Sequence, residues 1–319
     1  MSEINGGRLL SDLAALSAIG GRPDGGIDRI AWSDADLKGR QWFAQRLRDC
    51  GLEVRLDEAL NVFAHLPGTE GPYLLTGSHL DSVPSGGRLD GAYGAVAALE
   101  VLRTLVESKD ALAGRLEVVG FADEEGVRFE SGLLGSKALC GELDIESLGA
   151  RTDWTGVPIP DVLRSAGVDL ARMNDASSHL REVSGFLELH IEQGPRMEAS
   201  GTELGVVTGI VNVHRDEIQI NGMQNHAGTT PLNLRHDAGR AAARITAEIK
   251  ELVQSVDHEA VANVGVMRFA PGAVNVIPGR AEFTLEVRHL DQAVLQKITQ
   301  RIHGRLAEVC GDEACRFEI

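Results

Sequence analysis

Apolar residues in the first half of the chain recur in two rhythms. Tyr73–Gly77 (YLLTG) and Leu116–Ala122 (LEVVGFA) are nearly unbroken apolar runs, the pattern of strands covered on both faces. Between them Val96, Leu99, Leu102 and Val106 recur at helical spacing and predict a helix over Ala92–Val106. Residues 34–50 repeat that rhythm with Leu37, Phe43 and Leu47, after an Asp that can cap the helix. Glu53–Leu56 and Val62–Leu66 read as short strands, and Phe186–Ile191 (FLELHI) as a further one. Strand, helix and buried strand in succession predict a layered α/β domain with helices packed on a sheet.

The second half changes character. Val213–Ile220 (VHRDEIQI) alternates polar and apolar residues, as a strand with one wet face does. A helix over Asp237–Val256, strands over Ala262–Phe269 and Ala281–Arg288, a helix over Asp291–Val309 and a strand from Arg316 complete a β-α-β-β-α-β order. The fold class is therefore α/β, with a first domain over residues 1–211 and a small ferredoxin-like sandwich over 212–319.

Composition narrows the class. The 319 residues are 43% hydrophobic and 24% charged, which suits about two globular domains. No apolar run approaches the roughly 18 residues that a membrane span needs. The opening MSEINGGRLL has no basic stretch followed by an apolar one, so a cytoplasmic protein is expected. A net charge of −16 argues against nucleic-acid and anionic-membrane partners. The four cysteines form no CxxC pair and predict reduced thiols rather than a disulfide framework. A soluble acidic enzyme is what remains.

Candidate chemistry gathers at strand ends. YLLTGS runs into His79-Leu80-Asp81, LEVVGFA into Asp123-Glu124-Glu125-Gly126, and FLELHI carries His190 towards Glu192-Gln193-Gly194. Open α/β sheets place ligands at the carboxyl ends of their strands. Asp90, in SGGRLDGAYG, adds a carboxylate at the start of the following helix. Taken singly, an acidic doublet is a solvated loop and a lone His a hydrogen-bonded surface residue. Together they are a His, Asp and Glu donor set without thiolate, which suits Zn²⁺, Mn²⁺ or Co²⁺. In an extended segment Glu124 and Glu125 point to opposite sides, so one can ligate while the other acts as general base. Asp81, two residues beyond His79, is placed to orient its imidazole.

GSHLDSVPSGGRLDGAYG, FADEEGVRF, LELHIEQGP and NHAGTTPLNLRHDA resemble the hydantoinase/carbamoylase amidase branch of the M20 metallopeptidase superfamily. That branch includes N-carbamoyl-L-amino acid hydrolases, allantoate amidohydrolases and β-ureidopropionases. The match runs in order from about residue 8 to the end; HLD-x8-D with DEEG marks the superfamily, and HIEQG with NHAGTTP the branch. The resemblance implies an M20-type metal-binding domain carrying an inserted lid and dimerisation domain, and two divalent ions (Zn, Mn, Co or Ni). It implies that His79, Asp90 and His190 hold one ion, that Glu125 and the bridging Asp90 hold the second, and that Glu124 is the catalytic base; Asp81, as the partner of His79, is counted with the catalytic residues. Gln193, His226, Asn275 and Arg288 are implied to bind substrate, His226 also serving the reaction. The implied substrate is a small carboxylate-bearing ureido or amide compound, cleaved at a linear C–N bond by metal-activated water. A homodimer through the lid is implied as well.

Two other readings stand beside this one. An M20 dipeptidase or N-acyl-amino acid deacylase is disfavoured by the His of HIEQG, where peptidase relatives carry a carboxylate. The family also takes a last ligand from a GAGHD-type motif after the lid, which is absent here. The expectation is a chain lacking its C-terminal segment; the alternative is a catalytically incomplete, dimerising fragment.

Overall fold

The computed structural model describes residues 3–319. The chain divides into two units between Glu203 and Leu204, where the sequence pattern placed a boundary near Val211.

In the first unit, α1 (Gly6–Ser17) and α2 (Asp34–Asp49) precede the antiparallel pair β1 (Glu53–Leu56) and β2 (Val62–His65). β3 (Tyr73–His79), α3 (Ala92–Glu107) and β4 (Leu116–Phe121) form a β-α-β unit whose strands run parallel from Leu74 opposite Leu116 to His79 opposite Phe121. α4 (Leu134–Cys140), α5 (Ile145–Gly149) and α6 (Ile159–Ser165) lead to β5 (Val183–Leu187), parallel to β3, and then to α7 (Arg196–Ser200). The sheet order is β1-β2-β4-β3-β5.

Strand alternation assigns the two faces. Val62, Ala64 and Val118 pack with Leu13 and Leu16 of α1, Phe43 and Leu47 of α2, and Val96, Leu99 and Leu102 of α3. Phe63, Leu75, Val119 and Phe121 point the other way, towards Leu139 of α4. The α2 cap is Ser33, whose side chain accepts from the Asp36 amide, rather than Asp34. The strand expected over Phe186–Ile191 is shifted: it starts at Val183 and ends at Leu187. Beyond Leu187, Glu188 accepts from Ser78 Oγ and the Leu189 carbonyl lies against Gly94 of α3, where a Cβ would come within 2.3 Å. The chain is thus drawn onto α3 instead of continuing along β3.

The second unit comprises β6 (Asn212–Asn221), β7 (Asn225–His226), α8 (Ala238–Gln254), β8 (Val261–Asn263), β9 (Met267–Ala270), β10 (Val276–Ile277), β11 (Arg280–His289), α9 (Gln292–Asp312) and β12 (Arg316–Glu318). Its sheet runs β12-β6-β11-β8, with β9 also on β11. The strand expected over Ala262–Phe269 is two strands. Glu286 pairs with Asn263 and Phe283 with Met267, so three residues on β11 span four on the partner, a one-residue register slip. Val266 and Thr284 bridge the slip through hydrogen bonds of 3.1 Å. A β7/β10 ladder, unexpected from the pattern, pairs His226 with Val276. Ile218, Phe283, Leu285 and Val287 of the sheet pack against Ile245 and Ile249 of α8 and Ile298, Ile302 and Leu306 of α9.

Ile302 is fully buried in that core. Ile302→Ala is expected to cost about 2–5 kcal/mol in urea unfolding of the second unit; a loss below about 1 kcal/mol contradicts the packing described.

Candidate metal centre

Because β3 and β5 flank one another and β4 lies on the other side of β3, all parallel, the segments following them leave the sheet at one edge. His79 ends β3, and its Nδ1 donates to the Asp81 carbonyl at 3.0 Å. His190, after β5, donates from Nδ1 to the Ile191 carbonyl at 2.8 Å. A carbonyl only accepts, so both rings carry a proton on Nδ1 and turn Nε2 towards the cluster. The two Nε2 atoms lie 3.7 and 3.2 Å from the same atom, Asp90 Oδ1. That oxygen is buried and has no hydrogen-bond partner. Glu124 Oε2 lies 3.7 Å from His79 Nε2, and Glu125 joins His79 and Glu124 within ligand-sharing distance.

Glu124 and Glu125 therefore do not point to opposite sides, as an extended segment would have them. The strand ends at Phe121, and Asp123 takes a left-handed conformation (φ 46°). The resulting turn is clamped where Leu133, Leu134 and Gly135 donate their amides to the carbonyls of Glu124, Asp123 and Ala122. Asp81 also acts differently from expectation. Its carbonyl, not its carboxylate, accepts the hydrogen bond from His79 Nδ1; the carboxylate accepts from the Glu124 and Glu125 amides at 3.2 and 3.1 Å. Asp81 thus fixes the acidic turn to the end of β3. Gln193, also left-handed (φ 56°), donates from Nε2 to Asp90 Oδ2.

Beneath the cluster lies a buried ionic layer with no helical-pattern signature. Arg40 of α2 binds Asp36 at 3.0 Å, donates to the Phe121 carbonyl at 3.0 Å and approaches Asp81 at 3.9 Å. Trp32 Nε1 reaches Asp123. The available signal was polarity at Asp36 and Arg40, one turn apart on the stripe that buries Phe43 and Leu47. Gly91 is a second omission. At φ +62° it starts α3, and a Cβ there would sit 2.5 Å from the His79 ring.

The electrostatics follow from this crowding. Burial opposes charge on His79, but Asp90, Asp81, Glu124 and Glu125 outweigh it and hold the imidazole at about 9. Burial, reinforced by Asp90 and Glu124, pushes Glu125 up to about 7, and raises Glu124 for the same leading reason. Burial and the Asp81 charge bring Asp123 to about 7. The facing His79 imidazole, helped by Gln193, keeps Asp90 below the ordinary carboxylate range.

The donors fit divalent cations. Two imidazole Nε2 lone pairs, an unpartnered buried carboxylate oxygen and two further carboxylates, with no thiolate, are the set that borderline first-row ions take.

Three residues lie in the second unit. His226 Nδ1 accepts the Gly228 amide at 3.1 Å, so Nε2 is the protonated, donating nitrogen. The ladder sets Asn275 beside it: the Asn275 carbonyl accepts from the Ala227 amide at 2.9 Å. Arg235 stiffens the same loop through the carbonyls of Ala227 and Thr230. Arg288, on the β11 face away from the helices, gives its Nε to Glu286 at 2.6 Å. Among the described residues no helix is long and apolar enough to cross a membrane.

A mixed α/β fold with imidazoles and carboxylates at a sheet edge defines a metallohydrolase architecture, and residues 75–314 match the profile of peptidase family M20/M25/M40. The chain belongs to that family, which is metal-dependent. It is 36% identical over 316 residues to the N-carbamoyl-L-amino acid amidohydrolase of Geobacillus stearothermophilus, covering 98% of this chain and 77% of that one. It is 37% identical over 306 residues to the allantoate amidohydrolase of Escherichia coli strain K12, covering 95% and 74%. A crystal structure of a hydantoinase/carbamoylase family amidase from Burkholderia ambifaria superposes with a TM-score of 0.82 at 34% identity, over 99% of this chain and 77% of that one. The amidase-branch resemblance and the α/β fold class are borne out. Hydrolysis of a non-peptide C–N bond, rather than dipeptide cleavage, is the reading these relatives favour.

Gly91→Ala tests the packing under His79. A left-handed non-glycine residue costs about 1–2 kcal/mol before the ring is displaced. The expected outcome is a lowered melting temperature and reduced bound metal by elemental analysis; unchanged metal content would show that His79 tolerates the shift.

Proposed function

We propose that this protein hydrolyses the linear carbamoyl or ureido C–N bond of a small carboxylate-bearing substrate, an N-carbamoyl-L-amino acid or an allantoate-like compound. The observation that carries the reading is the convergence of Asp90 Oδ1, two Nε2 atoms and the Glu124–Glu125 turn in a chain whose relatives cleave such bonds. His79, Asp90 and His190 would hold one divalent ion, and Glu125 with Asp90 a second. When bound, such ions polarise the scissile carbonyl and make the attacking water more acidic.

The remaining steps fall to side chains. Glu124 is half exposed beside His79, and burial raises its proton affinity. It takes the proton of the attacking water and passes it to the leaving nitrogen. Asp81 and the α4 clamp hold Glu124 in place while it does so. His226 offers an Nε2–H to the developing oxyanion, a role that suits its Nδ1-accepting tautomer. Arg288 keeps its Nη atoms for the substrate carboxylate while Glu286 holds Nε, with Asn275 and Gln193 binding other polar atoms. A carbamoyl substrate would release ammonia and carbon dioxide with the amino acid. Homodimerisation is part of the proposal; the β8 sheet edge, with Val261 exposed, is the kind of edge a second copy can cover.

Three measurements bear on this. Glu124→Gln is expected to lower kcat on N-carbamoyl-amino acids by about 10²–10⁴-fold with the fold intact by circular dichroism; full activity removes Glu124 as the base. Arg288→Ala is expected to raise KM for carboxylate substrates by about 10- to 100-fold with kcat little changed, as loss of a charge-assisted hydrogen bond implies; an unchanged KM assigns the residue to the Glu286 ion pair alone. Chelation should abolish turnover of carbamoyl-amino acids and allantoate, with Zn, Mn, Co or Ni restoring it, and a dipeptide should stay uncleaved throughout.

A further inference from the structure

A second polar cluster lies inside the second unit, away from every residue assigned above. On β6 the even positions face the helices: Ile218 and Ile220 are buried there at 2% and 0% exposure. His214 and Asp216 continue that face, where further apolar residues would be expected. Asp216 is almost fully covered, and it meets two imidazoles. Its Oδ1 lies 2.9 Å from His214 Nε2 and its Oδ2 lies 2.7 Å from His303 Nε2, the latter brought in by α9. The rings stand 6.3 Å apart between centroids, inclined at 59°, so they flank the carboxylate rather than stack. One donor atom from each of the three residues lies within 4.8 Å of the others.

We propose that His214, Asp216 and His303 form a further divalent-cation site that takes Zn²⁺. Two imidazoles and one carboxylate are a borderline-ion donor set, and three protein ligands leave a position for water. Room for that water is present: a cavity of about 230 Å³ opens at His214, lined by Gln292, Gln296, Thr299 and Gln300 together with the apolar Val213 and Leu295. Both imidazoles are about one-third exposed, so solvent can hold a proton on Nδ1 when Nε2 turns to a cation. The present separations are hydrogen-bond lengths. Tetrahedral bonds of about 2.0–2.2 Å would open them to about 3.3 Å, a shift that the exposed rings can absorb. The ion would tie the start of β6 to the middle of α9 and so strengthen the second unit.

The test uses the whole chain of 319 residues. Crystals of the wild-type protein grown with stoichiometric zinc should show an anomalous peak at the zinc edge between Asp216 and the two Nε2 atoms. Zinc content by elemental analysis should fall by one ion per chain in His214→Ala/His303→Ala, and zinc should raise the melting temperature of the wild type more than that of His303→Gln. No peak at Asp216, or equal zinc content in a folded double variant, overturns the site and leaves a proton-bridged clasp. Should the double variant not fold, the wild-type anomalous map decides alone.

Discussion

Asp90 Oδ1 faces two imidazole nitrogens, and because each ring commits an Nδ1 proton to a carbonyl, a neutral ring has no Nε2 proton to give it. Around the same point stand Asp81, Glu124, Glu125 and, through Ser78, Glu188. Left to itself this arrangement is satisfied only by extra protons, which is why His79 is held at about 9 and Glu125 at about 7. A divalent cation removes the conflict by replacing those protons with its own charge. The sheet edge is built around that demand: a site at which protons and cations compete for one set of lone pairs.

Such a set of like charges has to be held from outside. Three devices do this, each from a different part of the chain. Arg40 neutralises Asp36 and Asp81 from below and grips the last carbonyl of β4. The first turn of α4 clamps Ala122, Asp123 and Glu124 through their carbonyls. Gly91 and Gly94 let α3 approach His79 and the Leu189 carbonyl more closely than any side chain would allow. The buried Arg–Asp layer costs desolvation that a hydrocarbon layer would avoid. Its return is geometric, since it fixes the turn that carries the proposed base and one proposed ligand.

Legibility in the sequence follows the same division. Long apolar runs and helical repeats disclosed β3, α3, β4, α8, α9 and the order of the second unit, because burial on a sheet or along a stripe writes directly into hydrophobic period. Motif spacing brought His79, Asp90, Glu124, Glu125 and His190 to one edge on paper. What escaped were features decided by tertiary contact. The expected opposition of Glu124 and Glu125 assumed a strand that in fact ends at Phe121, and the turn replacing it depends on α4, some ten residues later in the chain. β5 stops at Leu187 because Ser78 and Gly94 compete for Glu188 and Leu189. The β8/β9 slip and the two-residue β7/β10 ladder are too short to carry a period of their own.

The second unit shows how strict alternation makes exceptions informative. Its sheet has one apolar face, and a polar residue there must find a partner or forfeit its hydration. On β11 the pattern holds without a break from Ala281 to Val287, and Arg288 falls on the other face, where a guanidinium stays charged and reachable at little cost. On β6 the pattern breaks at His214 and Asp216, and the break is matched by His303 one layer away. Arg288 obeys the alternation, so burial alone does not mark it and its chemistry must be argued from its surroundings. Asp216 violates it, and a carboxylate placed on the core-facing side of a strand is retained only where groups of opposite character meet it. The two residues illustrate complementary ways in which one sheet keeps charge: by exposing it, or by surrounding it.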